Sequence, residues 1–213
     1  MDPVRQGMRI IAIGDIHGHD HLLKSVLRQI EENYIDKRTT IVFMGDYLNR
    51  SPSAEACRAT LTMIQDFEAK YPAQTFLLRG NHEWNFIQKI DLDVDQMNIT
   101  QPWEFEIYRE FESLLKGTMP YYETDEYFFA HAGGVMKNGK FARKENTPES
   151  LFALYWRYEL PDEPYEKTVV RAHKIVDPDE VFGENLISID LGSYQTGKLG
   201  AVVLPDNILI VSD

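Results

Sequence analysis

A chain of 213 residues, 43% hydrophobic and 26% charged, has the length and composition of one globular domain with a substantial core. Its formal charge of -12 argues against a general nucleic-acid surface, which is normally basic, so a phosphate-handling site would need a local positive field from metal ions or a few arginines. The single cysteine, Cys57, excludes an intrachain disulfide and a cysteine-rich zinc site; no run approaches the roughly eighteen apolar residues of a membrane span, Met1 to Gly7 is polar, and the expectation is a cytoplasmic protein with no membrane partner.

Taken in order, Ile10 to Ile13 is a short β-branched run followed at once by glycine, which predicts a buried strand ending in a tight turn. Leu22, Leu23, Val26, Leu27 and Ile30 recur at helical spacing as far as Tyr34, with the start at Asp20 or His21. Thr40 to Met44 predicts a second strand, Ser53 to Lys70 a second helix opened by Ser51-Pro52-Ser53, and Gln74 to Leu78 a third strand. This half reads as βαβαβ, each strand delivering polar residues from its C-terminal end, which is the layout of an α/β active-site rim.

Residues 84–120 break the pattern and predict a helical insertion beside the site, with Trp103 to Leu115 at mostly helical spacing and Trp103, Phe105, Tyr108 and Phe111 in the core. The aspartates Asp91, Asp93 and Asp95 lack the spacing of a calcium loop and read as a solvated turn. Beyond Tyr121 the texture is strand-rich: Tyr127 to Ala130, Thr168 to Ala172, Leu186 to Asp190, Leu199 to Leu204 and Ile208 to Val211. Pro205-Asp206-Asn207 predicts a hairpin turn, and Ser150 to Tyr158 a short helix. Residues 1–213 form a single domain on this reading.

Five short stretches carry chemistry: Gly14-Asp15-Ile16-His17-Gly18, Gly45-Asp46-Tyr47-Leu48-Asn49-Arg50, Arg79-Gly80-Asn81-His82-Glu83, Phe129-Ala130-His131-Ala132-Gly133-Gly134 and Arg171-Ala172-His173. Singly, Asp15 or Asp46 reads as a helix cap and Asn81 as a turn residue. As a set, Asp15, His17, Asp46, Asn81, His131 and His173 each lie in or just after a predicted strand, and they offer the mixed nitrogen and oxygen donors of a metal site. One carboxylate with two oxygens can bridge two cations about 3.5–4 Å apart, and Asp46 is the candidate bridge. His19 and His21 read as helix-surface or capping residues, Arg79 as a support of the rim and Glu83 as an orienting residue behind the ligands.

In this order, these motifs resemble those of the phosphoprotein phosphatase branch of the calcineurin-like metallophosphoesterases, which carry GDxHG, GDxVDRG, GNHE, HGG or HAG and a late histidine. The resemblance spans Gly14 to Gly200, in a compact form like that of the bacterial branch. It implies a four-layer α/β/β/α sandwich of two mixed sheets. It also implies two divalent ions, manganese first with iron or zinc as options. Asp15 and His17 would bind the first, Asp46 would bridge, and Asn81, His131 and His173 would bind the second. The implied reaction is phosphomonoester hydrolysis by a metal-bound hydroxide, with His82 protonating the leaving oxygen, Asn49 pairing with His82, and Arg50, Asn81 and Arg157 binding phosphate. The implied substrate is a phosphorylated protein, at serine or threonine, or a small phosphoester.

Three departures stand out. Asn49 replaces the usual aspartate partner of the catalytic histidine; an amide accepts a hydrogen bond but brings no negative charge, so catalysis is expected to be slower than in an aspartate-bearing relative and Asn49→Asp to change turnover. Ser51 replaces a glycine, and Arg157 directly follows Trp156 where relatives have a residue between. Two other readings stay open: symmetrical hydrolysis of dinucleoside polyphosphates, and a degenerate phosphatase acting as a binding protein.

Overall fold

The computed structural model describes residues 8–89, 101–161 and 165–213. The chain runs through β1 (Arg9–Ile13), α1 (Asp20–Asn33), β2 (Thr39–Phe43), α2 (Ala54–Lys70), β3 (Thr75–Leu77), α3 (Asn81–Lys89), α4 (Pro102–Glu110) and α5 (Glu112–Lys116). It continues through β4 (Tyr122–Glu123), β5 (Tyr127–Phe129), α6 (Pro148–Tyr155), β6 (Thr168–Arg171), β7 (Leu186–Ser188), α7 (Ser193–Thr196), β8 (Gly200–Leu204) and β9 (Ile208–Val211). Among these, no helix is long and apolar enough to cross a membrane.

Two mixed sheets result, one of five strands in the order β3-β2-β1-β8-β9 and one of four in the order β4-β5-β6-β7. β1, β2 and β3 run parallel, as do β5, β6 and β7, so each trio brings its C-terminal ends to one edge. The period-2 alternation of strands decides the layers. Ile11, Ile13, Ile41 and Phe43 face the helices with Leu23, Val26, Leu61 and Ile64, whereas Ile10, Ala12, Val42 and Met44 face the second sheet through Phe129, Val170 and Ile187. On the far side, Phe128 and Val169 pack on Ala153, Leu154 and Tyr155 of α6. This is the expected α/β/β/α sandwich. Each fully buried aliphatic or aromatic side chain contributes about 1.5–3 kcal/mol.

The insertion differs in detail from the expectation. Asn81, read singly as a turn residue, opens a helix, α3, and Pro102 begins α4 at a position where its missing N–H costs nothing. The expected helix over Trp103 to Leu115 is two, broken at Phe111. Tyr108 and Phe111 are buried and Trp103 and Phe105 pack against the same core, as expected. The aspartates at 91, 93 and 95 lie outside the described residues. β4 and α7 are additional elements too short to carry a periodic signal, and the hairpin turn through Pro205 to Asn207 joins β8 to β9 as predicted.

Candidate metal centre

The site assembles at the C-terminal edges of both sheets. After β1 and β2 the chain enters turns whose backbones are tied together: the amides of Ile16 and His17 both donate to the Asp46 carbonyl, at 3.2 and 2.9 Å. His17, Asp46, Asn49, Arg50 and His173 all hold positive φ, a conformation that costs an L-residue on the order of 1–2 kcal/mol and that the surrounding packing has to impose. Glycine makes the close approach possible. A Cβ on Gly80 would overlap the Asp46 carboxylate, and one on Gly45 would overlap the backbone of Gly80.

Asp46 Oδ2 is the centre of the cluster. It lies 3.4 Å from His131 Nε2, 3.6 Å from His17 Nε2 and 3.8 Å from His82 Nε2. Its other oxygen accepts from the His82 backbone N–H at 3.1 Å. Two groups of donor atoms within 4.8 Å of one another share it: His17, Asp46 and His82, and Asp46, His131 and His173. The ring orientations are fixed from behind. His17 Nδ1 is 2.8 Å from the Leu48 carbonyl and His131 Nδ1 is 3.0 Å from the Met44 carbonyl, so each ring donates there and turns Nε2 to the cleft.

Nε2 of His131 lies 3.0 Å from Asn81 Oδ1 as well as 3.4 Å from Asp46 Oδ2, so one imidazole nitrogen faces two oxygens. Asp15 Oδ1 and His173 Nε2 are buried without a hydrogen-bond partner among the described residues. Burial, then the carboxylates of Asp190, Asp46 and Glu83, push the Asp15 carboxyl well above the usual range. Burial also raises Glu83 to about 7 and Asp190 to about 6, and lowers His17 and His173 to about 3, which keeps both rings neutral. For Asp46 burial acts upward, but His131 above all overrides it and holds the carboxyl well below its usual value; in turn burial acts downward on His131, and the Asp46 carboxylate overrides it and holds the imidazole above its usual value. Buried carboxylates beside imidazoles fit divalent cations. Asp15 falls outside both compact groups; its Oδ1 is 3.7 Å from His131 Nδ1.

The remaining sequence candidates sit around this centre. His82 Nδ1 is 2.6 Å from Asn49 Oδ1. Arg50 lies 4.1 Å over the Tyr194 ring, and its Nη1 reaches His17 Nε2 at 3.2 Å. Arg157 is buried over Phe152, with Nε and Nη2 unpartnered among the described residues; the next residue, Tyr158, sets its ring at a tilt to that of His173, the centroids 4.7 Å apart. Glu83 orients the second motif by accepting from the amides of Asp46, Tyr47, Leu48 and Gly80. Arg79 braces the rim through Thr118 and Glu145. His19 occupies the N-cap position of α1 and His21 is exposed. Ser51 fits where a glycine was expected, its hydroxyl donating toward the carbonyls of Gly18 and Ser53.

Three residues of the site had not been singled out. Asp190 follows β7 as Asp15 follows β1, so the strand-then-acid pattern was a usable signal; it receives the Gly192 N–H at 2.8 Å and is hydrogen-bonded to Asp15. Tyr194 on α7 lies under Arg50 and meets the His17 ring edge-on, and it had no motif to reveal it. Glu104 of α4, 1% exposed, stands behind Asn49 and likewise carried no local signal.

Comparison with known proteins adds to this geometry. The sequence model of the calcineurin-like phosphoesterases matches residues 8–197. A probable serine/threonine-protein phosphatase of Encephalitozoon cuniculi is 25% identical over 176 residues, 82% of this chain; the chain spans only 35% of that relative's length. Among solved structures, a cold-active protein tyrosine phosphatase superposes with a TM-score of 0.66 at 17% identity, covering 96% of this chain and 75% of its own. A protein provisionally assigned as a diadenosine tetraphosphatase superposes with a TM-score of 0.61 at 18% identity, covering 97% and 94%.

Proposed function

Because the chain belongs to the calcineurin-like phosphoesterase family, we propose that it hydrolyses phosphomonoesters with two divalent ions, on serine- or threonine-phosphorylated protein. The observation that carries the reading is the convergence on the Asp46 carboxylate of two compact donor groups, His17 with His82 and His131 with His173, beside the unpartnered Asp15 Oδ1 and His173 Nε2. Asp15, His17 and Asp46 would hold one ion and Asp46, Asn81, His131 and His173 the other, with manganese, iron or zinc compatible with the donor set. When bound, the ions supply Lewis-acid charge and a water acidic enough to act near neutral pH.

The chain's own residues do the rest. Arg50, held over the Tyr194 ring, presents a planar fork to phosphate oxygens, and Arg157 offers a second, buried guanidinium. His82, whose Nε2 faces Asp46 and the cleft, is placed to hand a proton to the departing oxygen. The test is hydrolysis of p-nitrophenyl phosphate by metal-stripped protein after adding back manganese, zinc, iron or magnesium, with Asp46→Asn and His82→Ala as controls. Metal-restored activity that Asp46→Asn abolishes supports the reading. Stoichiometric metal binding without turnover on any phosphoester would replace it with a binding-only protein.

One observation favours a second reading for the substrate: the solved structure assigned to diadenosine tetraphosphate hydrolysis has nearly the same extent as this chain. Comparing turnover on a phosphopeptide with turnover on diadenosine tetraphosphate separates the two.

A further inference from the structure

Asn49 stands between His82 and a carboxylate that none of the sequence motifs contains. On one side its Oδ1 is 2.6 Å from His82 Nδ1; on the other its Nδ2 is 3.4 Å from Glu104 Oε1. Glu104 is buried, and its second oxygen accepts the Gln101 backbone N–H at 3.1 Å. The backbone N–H of Asn49 donates to the Tyr108 hydroxyl at 2.8 Å, and that hydroxyl, one helical turn from Glu104, is in turn hydrogen-bonded to it. The helical insertion thus grips Asn49 at both backbone and side chain.

The polarity of these bonds can be followed atom by atom. The Asn49 amide turns its NH₂ end to Glu104, whose Oε1 accepts from Nδ2. Its oxygen then faces His82, and because that oxygen only accepts, the hydrogen of the bond belongs to His82 Nδ1. An amide without such a neighbour has two nearly isosteric orientations, and the reversed one would donate to Nδ1 and move the ring hydrogen to Nε2. We propose that Glu104 is a positioning residue for His82: acting through the Asn49 amide, it fixes the ring in the tautomer with hydrogen on Nδ1 and leaves Nε2 to exchange its proton in the cleft. The charge that relatives carry at position 49 is thereby set one side chain further back.

The arrangement revises the expectation for Asn49→Asp. A carboxylate there would meet Glu104 across a 3.4 Å gap, and two such groups do not both ionise readily. The single substitution therefore lowers turnover, while Asn49→Asp combined with Glu104→Gln restores an accept–donate pattern: the introduced carboxylate would take hydrogens from His82 Nδ1 and from the new amide.

Nitrogen NMR of the histidines in the full chain, with zinc as a diamagnetic divalent ion, reads the tautomer. The wild type is expected to hold hydrogen on His82 Nδ1, and Glu104→Gln to mix the two forms. The kinetic consequence rests on the phosphoesterase reading and is measured with phenyl phosphate, whose leaving oxygen needs a proton, against p-nitrophenyl phosphate, whose does not. Asn49→Asp is expected to lose about ten-fold in kcat/KM on phenyl phosphate, and the double variant to recover to within about three-fold of wild type, a coupling within the usual range for touching residues. A wild-type ring carrying its hydrogen on Nε2, or a double variant no better than Asn49→Asp, overturns the proposal. Should no phosphoester be turned over at all, the proposed function fails while the tautomer measurement still decides the relay.

Discussion

Asp46 and His82 face each other across 3.8 Å, yet they are held by different kinds of structure. Asp46 and its neighbours come from turns at strand ends, fixed by backbone geometry: positive φ at His17, Asp46 and His173, and carbonyls of Leu48 and Met44 that orient the rings. His82 is oriented by side chains, through Asn49 to Glu104 and Tyr108, which lie 55 and 59 residues from Asn49 on a helix of the insertion. The first side is specified locally and leaves little room for substitution. The second is specified by tertiary packing, so the same task can be passed from one side chain to another, as the displacement of a carboxylate from position 49 to Glu104 illustrates.

The largest expected effect tests the first side. Asp46→Asn removes the charge shared by both donor groups, and kcat/KM is expected to fall about a thousand-fold, equivalent to about 4 kcal/mol of transition-state stabilisation. Titration calorimetry should find fewer than two ions bound. Two ions and unimpaired turnover would remove Asp46 from its bridging place.

His82→Ala tests whether the two sides are separate at all, because His82 Nε2 also lies within the donor group of His17 and Asp46. If His82 is the proton donor, the variant keeps both ions and loses about 10²-fold on phenyl phosphate but far less on p-nitrophenyl phosphate. Loss of an ion together with an equal fall on both substrates would assign His82 to the metal side and collapse the distinction.

The pH dependence of metal binding sharpens the comparison further. Burial holds Glu83 up to about 7 and Asp190 up to about 6, so near pH 6 the metal-free protein retains protons there that a cation displaces. Affinity therefore rises as pH climbs through 6 to 7, by up to about ten-fold per unit for each proton released. Of the imidazoles, His17 and His173 add nothing in this window, because burial has already lowered both to about 3, whereas His131, on which Asp46 and Glu83 override the downward effect of burial, adds a proton of its own. Calorimetry with zinc in two buffers of different ionisation heat measures the protons released; their number should fall as pH rises through the window, and a number that does not fall would point to ligands other than these.

The same contrast governs what the sequence made legible. Asp15, His17, Asp46, Asn81, His131 and His173 could be read because each stands beside a glycine or a strand end that produces its conformation, and the parallel strands then deliver them to common edges. The continuous apolar run Ile10 to Ile13 likewise foretold a buried strand, and the structure places Ile11 and Ile13 under the helices and Ile10 and Ala12 between the sheets. Asn49 was legible as an anomaly but not as a solution, since nothing near Glu104 in sequence marks it as different from any first-turn glutamate of a helix. Its role exists only when α4 is docked. Tyr194 is hidden for the same reason, on a helix of 4 residues that has no period to detect.

Ser51 offers the smallest and most local test, because it belongs to the same turn as Asn49 but is supported by backbone instead of by α4. Its hydroxyl lies 2.9 Å from the Gly18 carbonyl and 3.0 Å from that of Ser53, tying the first two motifs together, and its own φ is not positive, so a glycine is not required there. Ser51→Gly should therefore cost about 1 kcal/mol of stability from the lost hydrogen bonds and the freer unfolded chain, with turnover within about two-fold of wild type. Chemical denaturation reads the first quantity and steady-state kinetics the second. A large fall in turnover at unchanged stability would mean that the turn positions Arg50 through Ser51, and that part of the substrate-binding side is held as locally as the metal side is.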